Sequence, residues 1–110
     1  MLKLTIDNIG GQVIKDNETY LLKDNTTLTN LIVSSTELHA FQSTRGHSHV
    51  GQEEVYTFVK GTGTIEIDGT TYPVAAGDVF LIPDGAFHRV HNCSGEPLYF
   101  VCVFQGTRRH

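Results

Sequence analysis

The sequence predicts an all-β protein with a single domain. Hydrophobic residues recur with a period of two along most of the chain, and the i, i+3, i+4, i+7 stripe of an amphipathic helix is missing. Turns containing glycine, proline or aspartate follow one another at short intervals, as is typical of a sandwich or barrel. A chain of 110 residues is also too short to form two stable hydrophobic cores.

Nine short segments have the alternating pattern or the β-branched and aromatic composition of strands. In chain order they are Tyr20 to Lys23, Leu31 to Leu38, His47 to Val50, Glu54 to Lys60, Gly63 to Ile67, Thr71 to Val74, Val79 to Ile82, Phe87 to Asn92 and Leu98 to Phe104. Asp68-Gly69 is the clearest hairpin signal, because both central residues of a type I′ turn need positive φ. Ala76-Gly77-Asp78 and Pro83-Asp84-Gly85 are the turns that separate the next strands.

Charge and hydropathy exclude two classes of partner. Eight Lys and Arg residues against twelve Asp and Glu give a net charge of -4, and the basic residues are scattered except for Arg108-Arg109. No basic stripe is present to neutralise phosphates, so we expect no nucleic-acid partner. The longest apolar run is too short to span a bilayer and the N-terminus lacks a signal-peptide core, so we expect no membrane association and a cytoplasmic location.

Cys93 and Cys102 are the only two cysteines. If Ser94 to Pro97 forms a hairpin turn, Cys93 pairs near Glu96 and Cys102 lies opposite a residue near Phe87. The two sulfur atoms would then not meet, and we expect two buried, reduced cysteines.

The tripeptide His47-Ser48-His49 is the main candidate for a functional site. Residues i and i+2 of a strand project from the same face roughly 6.6 Å apart, so both imidazoles can reach one metal ion at about 2.0–2.1 Å. Two solvated surface histidines are the alternative. Glu54 follows closely and His88 comes after a Pro-x-Gly turn that can return the chain to the same place. Three imidazoles and a carboxylate suit a first-row transition ion.

The same residues carry a resemblance to a known family. Residues 77 to 92 resemble the second cupin motif, G-x5-P-x-G-x2-H-x3-N, at every defined position, from Gly77 to Asn92. His47-x-His49-x4-Glu54-x6-Gly61 is similar to the first motif. One position departs, because Phe41 stands where the family has a glycine six residues before the first histidine. We expect Gly46 to supply the missing backbone freedom.

The resemblance implies a double-stranded β-helix, the jelly-roll barrel of cupins, formed by residues 1–110 with the motifs at about 41–61 and 77–92. It implies that His47, His49, Glu54 and His88 bind one divalent transition metal ion, which is Mn, Fe, Ni, Cu or Zn. Glu53 should then face outward. A metal-free structural cupin is the alternative. Because a small open double sheet leaves edge strands unpaired, and cupins commonly pair, we expect a homodimer.

Other polar residues are weaker candidates. Alternation from Glu54 turns Tyr56 inward, where it either takes part in proton transfer or substrate contact or is a core aromatic with a bonded hydroxyl. Arg45 either contacts a substrate carboxylate or phosphate at the barrel mouth or is solvated. We expect His39 to be a strand residue without a catalytic role, His91 to point away from the metal, and His110 to belong to a frayed tail.

Three function classes are consistent with this reading. The first is a metal-dependent isomerase or lyase acting on a small sugar, sugar phosphate or sugar acid, as in many one-domain cupins that this chain resembles. The second is a metal-dependent dioxygenase, and the third is a protein that binds a small oxygenated ligand without reaction. Small cupins that ketonise unsaturated uronates use an acid on the last strand, where this chain has Val101-Cys102-Val103.

Overall fold

In the computed structural model, which describes residues 2–106, nine strands are present and no helix occurs within that range. The strands are β1 Gln12–Asp16, β2 Tyr20–Asn25, β3 Leu31–Leu38, β4 Glu54–Lys60, β5 Thr62–Ile67, β6 Thr70–Ala75, β7 Val79–Ile82, β8 His88–His91 and β9 Leu98–Gln105. No membrane-crossing helix exists in this part of the chain.

The strands form two antiparallel sheets that enclose one core. The larger sheet has the order β1-β2-β3-β9-β4-β7 and the smaller sheet has the order β6-β5-β8. The buried cluster takes side chains from both sheets, among them Phe58 and Phe100 from the larger and Ile65 and Val90 from the smaller. The inward positions alternate with outward ones along each strand, which explains the period-two pattern. The predicted all-β jelly roll is therefore confirmed.

The predicted hairpin joins β5 to β6. Asp68 and Gly69 both have positive φ, 48° and 82°, as a type I′ turn requires. Ile67 pairs with Thr70 immediately beside the turn. The two-residue loop thus fixes the register of the smaller sheet.

Two strand predictions were wrong. Strand β1 was missed, because all five of its residues are exposed and its only strand partner in the described chain is β2, so no buried face marks it. The segment His47 to Val50 is not a strand. It makes one isolated bridge, between His47 and His88, and Gly46 and Gly51 on either side have positive φ and turn the chain away.

The connection from β8 to β9 also differs from the prediction. It is not a hairpin, since β8 lies in the smaller sheet and β9 in the larger. Cys102 consequently lies opposite Ser34 and Tyr56, not near Phe87. Both cysteines are free, and Cys102 is buried as expected, but Cys93 is exposed.

Buried Asn92 holds this crossing connection together. Its amide nitrogen donates to the carbonyl oxygens of Leu38, His39 and Glu96 at 3.1, 3.1 and 2.8 Å. Its side-chain oxygen accepts from the backbone nitrogen and the hydroxyl of Ser94, both at 3.1 Å. The final residue of the second motif therefore has a structural role, joining both sheets at one point.

Phe41 adopts a left-handed backbone conformation, which glycine takes without steric cost. Its φ is 62°, in the left-handed region, and its side chain is 71% exposed. Gly46 also has a positive φ, of 64°. Gly46 thus provides a left-handed position as expected, but it does not relieve position 41, where Phe41 is left-handed as well and carries the steric cost.

Candidate metal centre

The four predicted donor side chains come from three different parts of the fold. Glu54 is the first residue of β4 and His88 is the first residue of β8, so the two sheets each contribute one donor. His47 and His49 lie in the segment before β4, outside both sheets. The structure brings the four side chains together at one end of the barrel.

Backbone hydrogen bonds hold the two-histidine segment against β8. The amides and carbonyls of His47 and His88 exchange two bonds, of 3.1 and 3.0 Å. The amide of Gly85 donates to the carbonyl of His49 at 2.9 Å. Asp84 Oδ1 accepts from the amide of Gly51 at 2.8 Å. The Pro-Asp-Gly turn before β8 therefore positions His49, which sequence reasoning did not show.

The donor atoms are close enough to share one ion. One nitrogen or oxygen atom from each of His47, His49, Glu54 and His88 lies within 4.8 Å of the others, and we refer to these residues as the donor cluster. The distance from Glu54 Oε2 to His88 Nε2 is 3.2 Å, and from Glu54 Oε1 to His49 Nε2 it is 3.9 Å. His47 is half-buried, and the other three are buried.

A hydrogen bond orients the His88 ring. Its Nδ1 lies 3.1 Å from the carbonyl oxygen of Ala86, and a carbonyl can only accept, so Nδ1 carries a proton. Nε2 is therefore the nitrogen that points into the donor cluster. In the neutral ring Nε2 holds a lone pair, which is the form that binds a metal.

The charges within the donor cluster shift two pKa values in opposite directions. Burial raises the pKa of Glu54, but the imidazoles of His88, His49 and His47 outweigh it and lower the pKa below its usual 4.5. Burial lowers the pKa of His88, but the Glu54 carboxylate and the Ala86 carbonyl outweigh it and raise the pKa above its usual 6.5. The carboxylate thus favours a positive charge beside it.

The donor cluster fits a bound metal ion. His88 Nε2 is buried and makes no hydrogen bond within residues 2–106, although a carboxylate oxygen faces it at 3.2 Å. When His88 is neutral, two electron-rich atoms face each other in a buried place, and a cation between them removes the conflict. Three imidazole nitrogens and one carboxylate form a donor set that first-row transition ions accept. The cluster is therefore able to bind a metal ion.

A cavity of about 420 Å³ opens beside the donor cluster. We call it the barrel cavity. Its lining includes His47, Glu54, Tyr56 and the predicted mouth residue Arg45. Its volume is within the range of pockets that hold small molecules. The donor cluster therefore has space beside it for a small ligand.

Tyr56 faces this cavity from β4, as alternation predicts. Its ring packs on Phe100 at a centroid distance of 5.4 Å and lies edge-on to His88 at 5.6 Å. Burial raises the pKa of Tyr56 well above its usual 10.0, and Cys102 and Glu54 raise it further. The hydroxyl therefore stays protonated near neutral pH and acts as a hydrogen-bond donor.

Other predicted residues lie away from the donor cluster. His91 faces the opposite side of β8, where Ser43 Oγ lies 2.7 Å from its Nδ1 and Glu66 Oε1 lies 3.9 Å from its Nε2. Glu53 is exposed, and His39 lies just after β3. His110 is outside the described residues. The positions of His91 and Glu53 agree with the sequence predictions, but His39 was expected to be a strand residue and lies outside the strands.

Cys102 and Lys15 also line the barrel cavity, although neither was predicted to be a site residue. Cys102 of β9 lines it as the cross-strand partner of Tyr56. Lys15 of β1 lines it from the edge of the larger sheet. No sequence signal marked Lys15, because β1 itself carries no buried face.

Comparisons with known proteins agree with this architecture. A solved protein with a double-stranded β-helix domain from Klebsiella pneumoniae superposes with a TM-score of 0.81 and 21% identity, covering 96% of this chain and 90% of that one. This likeness concerns the fold.

Sequence relatives have different functions. An oxalate-binding protein of Thermotoga maritima is 33% identical over 52% of this chain and 47% of its own length. A glucose-6-phosphate isomerase of Thermococcus gammatolerans is 31% identical over 64% of this chain and 41% of its own length. The match thus spans less than half of either relative.

The sequence profile of the cupin domain (Cupin_2) matches residues 35–104. That range contains the donor cluster, the barrel cavity residues of β4 and β9, and both motifs. The chain belongs to the cupin family.

Proposed function

We propose that this cupin binds one divalent transition metal ion, Mn, Fe, Ni, Cu or Zn, through His47, His49, Glu54 and His88. The observation that carries the proposal is the approach of four nitrogen and oxygen donors to within 4.8 Å of one another, three of them buried. Burying a carboxylate beside imidazoles is costly unless a cation or a proton balances the charge. A bound ion provides that balance at every pH at which the imidazoles are neutral.

We further propose that the protein is a metal-dependent isomerase or lyase that acts on a small sugar, sugar phosphate or sugar acid. When bound, the ion supplies a Lewis acid that polarises an oxygen of the substrate. The barrel cavity, at about 420 Å³, accommodates a compound of that size beside the donor cluster. The similarity to a glucose-6-phosphate isomerase supports this class.

Tyr56 is the proposed catalytic residue. Its hydroxyl keeps its proton at neutral pH, because burial raises its pKa well above 10.0. In that form it donates a hydrogen bond to a substrate oxygen and can pass a proton to it, whereas it cannot serve as a base. Phe100 and His88 pack against its ring and hold the hydroxyl in one place.

A second candidate is a protein that binds a small oxygenated ligand without reaction. The inward residues of β9 are Leu98, Phe100, Cys102 and Phe104, so this strand offers no carboxylate as a proton relay. Tyr56 does not supply a base either. The similarity to an oxalate-binding protein supports this alternative.

The experiment that tests the function starts with elemental analysis of protein purified without added metal. We expect about one transition ion per chain. The loaded protein is then incubated with sugars, sugar phosphates, sugar acids and diketones, and products and dissolved oxygen are followed. An isomer or elimination product without oxygen uptake supports the isomerase or lyase. Oxygen uptake identifies a dioxygenase instead, and ligand binding without any product identifies the binding protein. Protein without metal contradicts the proposed metal centre.

We also propose a homodimer that covers the outer face of the larger sheet. Leu81, Val55, Val103 and Val33 lie opposite one another on four neighbouring strands, and they form one apolar row. Leu81 is 70% exposed and lies on edge strand β7. A second copy would bury this row and the free edge together.

We also propose a cytoplasmic location. The free thiols of Cys93 and Cys102 support this proposal, because thiols stay reduced in that compartment.

A further inference from the structure

We propose that Lys15 and Arg45 form a pair of cations at the mouth of the barrel cavity that selects negatively charged ligands. The inference deepens the proposed function and rests on it, because it names the ligand class as a small carboxylate or phosphate with a second oxygen to present to the donor cluster. Both cations line the same cavity as His47 and Glu54.

A shift in strand register places Lys15 at this cavity. Val13 pairs with Lys23, and regular alternation would pair Ile14 with Leu22 and turn Lys15 to the outer face. The register shifts by one residue at Ile14, so Lys15 lies opposite Leu22 instead. Leu22 is buried and lines the barrel cavity. Cross-strand partners share a face, and the irregularity therefore turns a lysine inward where an isoleucine would stand.

Arg45 lines the same cavity from a different part of the chain, the segment before β4. It lies two residues before His47, in the segment that the bridge to His88 holds in place. The neighbouring backbone is fixed as well, since Thr44 accepts a hydrogen bond from the amide of Val90 at 2.9 Å through its hydroxyl. A guanidinium on a fixed segment can bind a carboxylate or phosphate through two parallel hydrogen bonds.

The balance of charge in the cavity favours an anion. Its charged lining consists of Lys15, Arg45 and Glu54, and Glu54 belongs to the donor cluster. Among residues 2–106 neither cation forms a salt bridge, whereas Lys60 pairs with Asp7 at 3.5 Å on the outer face. The whole chain has a net charge of -4, so two unpaired cations at one opening are a local feature. An entering anion is attracted by both.

The test compares a charged ligand with an uncharged counterpart in each of two pairs, of which the carboxylate and its amide are nearly equal in shape and the other two differ by the phosphate group. Glycolate and its uncharged amide, glycolamide, represent the carboxylate arm, while glycerol 1-phosphate and glycerol represent the phosphate arm. Each is titrated calorimetrically into protein loaded with its analysed metal ion, and in parallel into metal-free protein. The variants are Lys15→Gln and Arg45→Gln. Lys23→Gln is the matched control, since it removes the same charge from the outer face of the adjacent strand β2.

We expect Lys15→Gln and Arg45→Gln each to weaken binding of the charged member of at least one pair about fivefold, which is the effect of one partly exposed cation. Lys23→Gln should change it by less than about twofold, and the uncharged member should be unaffected in all variants. Loss in only the glycolate or only the phosphate series identifies which anion is preferred. Both substituted positions are exposed, so the variants should fold, which thermal unfolding verifies.

Three results would overturn the proposal: equal affinity of charged and uncharged ligands for the unsubstituted protein, no loss in either cavity variant, or an equal loss in Lys23→Gln. Metal content is measured on every variant, and it distinguishes failure of the anion-selection proposal from failure of the proposed metal centre. If no ion is retained, the titrations of metal-free protein decide the question, because the two cations do not depend on the ion.

Discussion

His88 Nε2 and Glu54 Oε2 face each other at 3.2 Å, with both side chains about 95% buried. They come from the first residues of two strands in different sheets. The Ala86 carbonyl holds the His88 proton on Nδ1, so the contact is favourable only with a second proton or a metal ion on Nε2. The pair therefore responds to pH in opposite ways with and without metal.

The first prediction concerns pH. In metal-free protein the pKa of Glu54 is lowered by folding. Glu54 therefore contributes stability that is present above pH 4.5 and is lost as the pH falls through the pKa of the folded state. The pKa of His88 is raised by folding. His88 therefore contributes stability that is present below pH 6.5 and is lost as the pH rises through the pKa of the folded state. The midpoint of thermal unfolding, measured in the presence of a chelator, should therefore show the largest stabilisation by this pair between pH 4.5 and pH 6.5.

Metal binding has the reverse dependence. Protons compete with the ion for the imidazoles, so metal affinity should rise between about pH 5.5 and pH 7.5. Calorimetric titration with the native ion measures this rise. An affinity that falls or stays constant across that range would contradict metal binding by His88.

The second prediction is that His88→Ala loses the metal ion. Removing one of four donors should lower metal affinity at least about 100-fold, since even groups that only orient a ligand contribute 10- to 100-fold. Elemental analysis after dialysis measures the loss. His91→Ala is the control, because His91 lies on the same strand and faces Ser43 instead of the donor cluster. Equal metal content in the two variants would contradict the assignment.

The third prediction tests Tyr56 as a proton donor. Tyr56→Phe should reduce kcat about 100-fold or more on any substrate that the protein converts, while metal content stays near that of the unsubstituted protein. Tyr72→Phe is the control, because Tyr72 is on β6 in the smaller sheet and 41% exposed. If Tyr56→Phe retains full kcat, Tyr56 is only a core aromatic.

The fourth prediction concerns the left-handed residue Phe41, whose φ is 62°. Phe41→Gly should raise the free energy of unfolding by about 1 kcal/mol, because glycine adopts this conformation without steric cost. Urea denaturation measures the change. Phe41→Ala removes the same exposed ring but keeps a Cβ atom, so the difference between the two variants isolates the backbone effect. Equal stability of the two would show that φ costs nothing here.

The fifth prediction tests the homodimer. Leu81→Glu should convert the protein to a monomer of about 12.2 kDa in sedimentation at micromolar concentration, because it places a charge in the apolar row. Thr71→Glu, on the exposed strand β6 of the other sheet, should remain a dimer. An unsubstituted protein that sediments as a monomer would contradict the proposed assembly.

Much of this architecture could be predicted from local patterns. Strands β3, β4 and β7 have the predicted bounds. In each of them, side chains on a more buried face alternate with side chains on a less buried one, and clear turn residues follow the strand. The approach of His47, His49, Glu54 and His88 was predicted through the motif resemblance, whereas the spacing argument assumed a strand at His47 to Val50 that is not present. Local sequence patterns were sufficient to predict a strand or turn wherever the pattern is compatible with a single backbone conformation.

The remaining features depend on contacts between distant residues. The register shift at Ile14 is set by pairing with β2, and nothing in the residues Gln12 to Asp16 indicates it. The crossing of the chain between sheets after Asn92 reads locally as a hairpin turn, because it contains Ser94, Gly95 and Pro97. The change of sheet is seen in the pairing of β8 and β9 with different sheets, and the bonds from Asn92 to Leu38 and His39 join distant parts of the chain there.

Two of the four donors, His47 and His49, lie outside both sheets, on a segment attached to β8 by the isolated bridges Ser43–His91 and His47–His88 and by a few further hydrogen bonds, not by a continuous ladder. Such a segment can open locally while the hydrogen-bonded ladders stay closed. A cation shared with Glu54 and His88 would fasten it to the barrel wall. Loading the protein should therefore slow amide hydrogen exchange and protease cleavage between residues 44 and 51, while β3 and β9 exchange as before.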